Sequence, residues 1–117
     1  MAKLPKRLVG PKQVATGPTT QYTAPSYVPT TLSTIIRHIH VQNPSGSAVT
    51  LTISIGADAA ATRILDAFSI PAAAAGVTGS VVDFFCYYVM TTGEILTTSA
   101  GTNNILTITI DGDENCG

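Results

Sequence analysis

Charge is what this sequence of 117 residues has least of. Only 11% of its residues are charged, against about 25% in ordinary soluble domains. Tryptophan is absent, and cysteine occurs twice, at Cys86 and Cys116. One lies inside an apolar run and the other beside the end of the sequence. That is not the dense, regular spacing of a disulfide framework. The two read as a buried thiol and a tail thiol. Long apolar runs are missing too. The longest, Val81 to Met90, is interrupted by Asp83 and is about half of what a membrane-spanning helix needs. The basic start, Met1 to Gly10, has no apolar stretch behind it, so no signal peptide is expected. Asn43-Pro44-Ser45 is blocked as a glycosylation acceptor by its central proline.

Catalytic signatures are absent as well. The chain has no G-x-S-x-G elbow and no glycine loop of the phosphate-binding kind. Asp66, Asp83 and Glu94 stand alone in the sequence, so no pair of carboxylates offers itself for acid–base work. An enzyme is not expected, nor a cofactor.

What fills the polar positions instead is threonine and serine, which favour strands over surface helices. A surface so poor in charge also repels copies of itself only weakly, which suits a protein that lives packed against neighbours. The length fits one domain.

The first thirty residues differ from the rest. They hold Pro5, Pro11, Pro18, Pro25 and Pro29, and also Lys3, Lys6, Arg7 and Lys12. Proline removes backbone donors and blocks regular pairing. Residues 1–20 are therefore expected to form an extended, basic, proline-rich arm, ordered by a partner. A β domain is expected over residues 21–112 and a polar tail over 113–117. A first short strand is placed within Tyr22 to Val28.

From Thr34 onward the hydrophobic period is two. Ile35, Ile39 and Val41 would share one face with Arg37, and Ile36, His38, His40 and Gln42 the other. Asn43 to Ser47 reads as a turn, and Val49, Leu51, Ile53 and Ile55 alternate with Thr50, Thr52 and Ser54. These two runs are expected to form a hairpin. A strand is favoured from Thr62 to Ile70, with Ile64, Phe68 and Ile70 inward; a helix from Asp58 to Phe68 is the rival. Val81 to Met90 is apolar on both faces, apart from Asp83. Further strands are expected over Gly93 to Ser99, with Ile95 and Leu96, and over Asn104 to Asp111, with Leu106, Ile108 and Ile110 inward. About seven short strands with regular turn signals predict an all-β, two-layer antiparallel sandwich, jelly-roll or immunoglobulin-like.

Three groupings could carry binding chemistry. His38 and His40, at i and i+2 on a strand, project to the same face as zinc requires. A third ligand is needed, however, and Asp83 and Cys86 are only suggestions, so no metal is expected. Asp111, Asp113 and Glu114 look like a calcium-loop fragment, but the sequence stops short of the twelve residues such a loop needs. They read as a solvated terminus. The basic arm could meet phosphate, but without interleaved aromatics, and with a net charge of −1, protein docking is expected rather than nucleic acid.

Gln21-Tyr22-Thr23-Ala24-Pro25, His38-Ile39-His40-Val41 and Ser54-Ile55-Gly56-Ala57-Asp58-Ala59-Ala60 carry a resemblance. Ile70-Pro71, Gly93-Glu94-Ile95-Leu96 and Leu106-Thr107-Ile108-Thr109-Ile110-Asp111-Gly112 continue it. Over Tyr22 to Gly112 the chain resembles small accessory virion proteins of tailed bacteriophages. That resemblance implies a non-enzymatic β-sandwich of the virion, assembled in the cytoplasm of a host bacterium, and carries over no site residue. A capsid decoration or minor head protein is the leading reading, a tail- or neck-associated protein the alternative, and a receptor- or carbohydrate-binding module a further one. Expected partners are other virion proteins, such as the major capsid protein or tail and neck proteins, through Lys3, Lys6, Arg7 and Lys12. Copies of the chain itself are expected to meet as a dimer or trimer through Phe85, Tyr87 and Val89. No membrane is expected.

Overall fold

The computed structural model describes residues 2–25, 32–73 and 80–116. Eight strands occupy them: β1 (Ala2–Gln13), β2 (Thr19–Thr23), β3 (Leu32–Asn43), β4 (Val49–Ile55), β5 (Arg63–Ile70), β6 (Ser80–Thr91), β7 (Ile95–Ala100) and β8 (Thr107–Cys116). They pair antiparallel into two four-stranded sheets, ordered β1-β8-β3-β6 and β2-β7-β4-β5. Eight strands in this interleaved order are a jelly roll, which decides between the two sandwich types the sequence left open. Among the described residues there is no helix, so none is long and apolar enough to cross a membrane.

The strongest alternating segments behave as their pattern demands. Val49, Leu51, Ile53, Leu106, Ile108 and Ile110 are buried between the sheets, joined by Ile70, Met90 and Leu96. Ile55 is half-buried against them. Thr50 is exposed, and Thr52, Thr107 and Thr109 are partly so. The segment open to a helical reading is a turn followed by β5.

Four expectations are corrected. First, Ala2–Gln13 is not an arm. It is β1, paired along its length with β8 from Ala2↔Cys116 to Gln13↔Thr107. It places Leu8 and Val9 in the core, and Val14 just beyond it is also buried. Proline is compatible with this because β1 is the outermost strand of its sheet, where a missing donor faces no partner. Pro11 falls where the β1–β8 register shifts between Val9 and Lys12, at a bulge. Gly10 sits there with φ +72°, a conformation that glycine tolerates best.

Second, 113–116 is not a solvated tail. β8 runs to Cys116, and Asp113 and Glu114 are 6% and 4% exposed. Third, β3 and β4 are not a hairpin, since they lie in different sheets. The buried Asn43 side chain holds the corner between them. Its Nδ2 donates to the carbonyls of Ser47 (2.9 Å), Ile70 (3.2 Å) and Pro71 (3.1 Å), while Oδ1 accepts from the Ser45 amide at 3.0 Å.

Fourth, two alternations are broken. β3 carries an extra residue, Arg37, relative to β8 between the Ile36↔Gly112 and His38↔Asp111 pairs. The bulge shifts the phase, so Ile36, Ile39 and Val41 enter the core cluster and Ile35 does not share their face. In β5, register shifts against β4 and Ala67 at φ 47° leave Phe68 41% exposed rather than inward. Its ring instead meets Phe84 edge-on at 5.2 Å between centroids. Of the strand expected over Tyr22 to Val28, β2 covers the beginning; residues 26–31 lie outside the described residues.

Three measurements test this architecture. Removing residues 1–14 takes away an edge strand and three core side chains, and should abolish cooperative unfolding; a truncated chain that still melts cooperatively near the parent temperature would show that β1 is dispensable. A Cβ on Gly112 would stand 2.0 Å from the Ile35 carbonyl oxygen, so Gly112→Ala should destabilise by about 1–3 kcal/mol through overpacking. Ile53→Ala should cost about 2–5 kcal/mol in chemical denaturation.

Candidate functional site

The outer face of the β1-β8-β3-β6 sheet gathers most of the chain's unusual chemistry. β6 is the outermost strand on the side opposite β1. Among its even-numbered side chains Val82, Phe84 and Cys86 pack on the core and Met90 is fully buried, while Tyr88 is 37% exposed. The odd-numbered ones form the outer row, with Val81 52%, Phe85 81%, Tyr87 62% and Val89 49% exposed.

β3 lies beside this row and supplies a polar partner at each level. Arg37, displaced by the bulge, pairs with Asp113 and sits 5.3 Å from the centre of the Tyr87 ring. The Asp113 carboxylate raises the guanidinium pKa, through the hydrogen bond first and its charge after. One level down, the His38 ring stacks on Phe85, with centroids 4.6 Å apart and planes 9° from parallel. At the next level His40 and Asp83 are register partners.

Asp83 serves both histidines. Its Oδ1 lies 2.7 Å from His40 Nδ1 and 2.8 Å from His38 Nε2. These hydrogen bonds, the one to His40 foremost, hold the Asp83 carboxyl below the usual carboxylate range. On its other side, His38 Nδ1 is 3.7 Å from Asp111 Oδ2. His38, His40 and Asp83 thus form a group with one nitrogen or oxygen ligand atom from each, all within 4.8 Å of one another.

A second polar cluster is structural. Glu114 faces inward at one end of the sandwich. It accepts from the Tyr22 hydroxyl and from Lys6 Nζ at 3.3 Å, while Tyr22 also meets the Thr34 hydroxyl at 3.0 Å. Cys86, half-buried, donates its thiol to the Ile36 carbonyl at 3.6 Å, and burial pushes its pKa up. An open cleft of about 320 Å³ runs along the β5–β6 edge, lined by Ile39, Ile64, Leu65, Phe84, Cys86 and Tyr88 among others.

The expected interface residues Phe85, Tyr87 and Val89 share one exposed face. The four basic residues do not form a free docking arm. Lys6 pairs with Glu114, Arg7 and Lys12 are exposed on β1, and Lys3 lies opposite Asn115 in the β1–β8 register. The sequence offers the two histidines, with Asp83 and Cys86 as alternative third partners, and does not choose between them. The β3–β6 register selects Asp83. Arg37 was missed, because the bulge that aims it at Tyr87 has no signature in the residue pattern.

No protein-family model matches the chain, and no curated protein matches it. Among solved structures it is similar to a chain from the structure of the infectious bursal disease virus Gx strain, at 15% identity and a TM-score of 0.35. The match covers 96% of this chain and 28% of that one. So distant a likeness carries no functional argument.

The Arg37–Asp113 pair is open to a direct test. Arg37→Ala leaves a carboxylate that is 8% exposed without its cation, and should lower the denaturation midpoint. Adding Asp113→Asn should recover part of that loss, because the uncompensated charge is then gone. Denaturant unfolding of the two variants checks both.

Proposed function

We propose that the chain is a non-enzymatic structural protein of a virion, which assembles with copies of itself through the outer face of β6. The leading specific role is a capsid decoration or minor head protein of a tailed bacteriophage, with a tail- or neck-associated place as the alternative. One observation carries the reading: an outermost strand presents a row of exposed apolar and aromatic side chains, Val81, Phe85, Tyr87 and Val89. Outermost strands are normally protected by charge, proline or irregularity. An exposed apolar patch beside such an edge marks a contact surface or an aggregation site.

Further support comes from the sequence resemblance to accessory virion proteins and from a fold that capsid, lectin and cupin domains share. The fold alone does not choose among those functions. The non-enzymatic side of the reading rests on where the carboxylates are engaged. Asp58 and Asp66 pair with Arg63, and the hydrogen bond from Arg63 holds the Asp58 carboxyl below its ordinary pKa. Asp113 pairs with Arg37 and Glu114 with Lys6. Glu94 accepts from the Thr91 amide at 2.7 Å.

The oligomeric state tests the proposal. Sedimentation at increasing concentration should show a dimer or trimer, and Phe85→Lys or Tyr87→Lys should give folded monomers. A wild-type chain that stays monomeric throughout removes the self-association reading and leaves the aromatic row free for another ligand, such as a carbohydrate. In purified particles, hundreds of copies would agree with a head protein and a handful with a tail or neck protein.

A further inference from the structure

The group formed by His38, His40 and Asp83 is independent of the assembly reading and has a chemistry of its own. The three residues come from adjacent strands. His38 and His40 project from the same face of β3, and Asp83 stands directly across from His40 on β6. Two imidazole nitrogens and one carboxylate oxygen, all within 4.8 Å of one another, are the donor types that zinc takes. Around a tetrahedral zinc ion with ligands at about 2.0–2.1 Å the donors lie roughly 3.4 Å apart. The hydrogen-bonded group therefore needs only small side-chain rotations to open around an ion.

The surroundings of His38 favour a cation at its Nε2. Carboxylates flank both ring nitrogens: Asp83 at 2.8 Å from Nε2 and Asp111 at 3.7 Å from Nδ1. A neutral imidazole has one N–H and satisfies one of them. With a metal ion on the Asp83 side, the remaining proton sits on Nδ1, facing Asp111. That is the carboxylate–histidine–metal arrangement by which outer groups fix the tautomer of a ligand. Phe85 adds a second constraint, since its ring stacks on that of His38 and fixes the plane in which Nε2 points. An imidazolium would answer the same two carboxylates with a second proton, so the experiment must separate ion from proton.

We propose that His38 Nε2, His40 Nδ1 and the Asp83 carboxylate form a surface site for a divalent transition metal of the zinc class, with Asp111 as a positioning residue. All three ligand side chains are partly exposed, at 27%, 39% and 38%. The fourth coordination position therefore faces solvent and takes water. The sequence expectation against metal rested on the want of a third ligand, and the β3–β6 register supplies one.

Tag-free protein, stripped with chelator, should bind one zinc ion per chain in a calorimetric titration with ZnCl2. It should also develop a visible absorption band with Co2+. At a hundredfold excess over Kd, zinc should raise the melting temperature by about 10 °C. His38→Gln combined with His40→Gln should abolish saturable binding and the Co2+ band, yet melt within a few degrees of the chelated parent. Asp111→Asn should keep the stoichiometry and weaken affinity by about 10–100-fold, the usual effect of losing an outer-shell partner. Absence of a binding isotherm and of a zinc-dependent melting shift in the parent would overturn the site and leave a proton-bridged cluster. Binding that survives unchanged in the double-histidine variant would overturn it equally, by placing the ion elsewhere. Neither result decides whether the chain self-associates through Phe85 and Tyr87, which sedimentation reads separately.

Discussion

Everything in this fold depends on β8 taking its place between β1 and β3. Its residues pair on both sides at once: Ile110 lies between Val9 and Ile39, and Ile108 between Lys12 and Val41. The last strand thereby joins the first strand to the third, and the sheet that carries the candidate site is complete only when the two ends of the chain have met. Loop closure on that scale costs entropy before any contact repays it, so a non-local topology of this kind folds slowly for its size. The buried charges of β8 tighten the requirement. Asp113 needs Arg37 of β3, and Glu114 needs Lys6 of β1 and Tyr22 of β2. Burying either carboxylate without its partners is strongly unfavourable. A β8 docked out of register by one residue would leave both unpaired, so these two residues discriminate against misassembly as well as holding the end of the sandwich.

That same interdependence limits what could be read from the residues alone. The fold class was legible because β4 and β8 alternate cleanly, and burial follows the alternation at Leu51, Ile53, Ile108 and Ile110. The apolar double row of β6 was legible for the same reason. β1 was not, because proline argues against strands in general and only the strand order shows that this one is at an edge. Nor were the partners of Asp113 and Glu114, which lie roughly 75–110 residues away in the sequence. The bulge at Arg37 shifted the face of Ile35 against Ile39, and periodicity cannot see an inserted residue. The histidine pair was visible, but its link to Asp83 depends on pairing between strands that neither sequence segment specifies by itself.

The two outer faces of the sandwich are chemically unequal. On the β2-β7-β4-β5 sheet the outward positions of the middle strands are filled by Thr50, Thr52, Ser54, Thr97 and Ser99. Short hydroxyl side chains bond locally there, as Thr97 does to the Gly56 carbonyl at 2.8 Å. On the β1-β8-β3-β6 sheet the same kind of position carries Arg37, His38, His40, Asp83 and the aromatic row. The low overall charge of the chain therefore does not mean a featureless surface. Arg37, His38, His40 and Asp83 lie beside the exposed rings, while Arg63 pairs with Asp58 and Asp66 at the other sheet.

This juxtaposition has a thermodynamic consequence. Phe85 belongs to both features of the face: its ring is 81% exposed to a prospective neighbour, and it stacks on His38. An ion that fixes the His38 ring also narrows the orientations open to Phe85, which lowers the ordering cost of burying that ring against another copy. Conversely, a copy that covers Phe85 removes water from beside His38 and holds the ring in place for the ion. Linkage makes the two effects equal in size: whatever factor the ion contributes to association, association must contribute to ion affinity. Any coupling between the two would pass through the stacked His38–Phe85 pair.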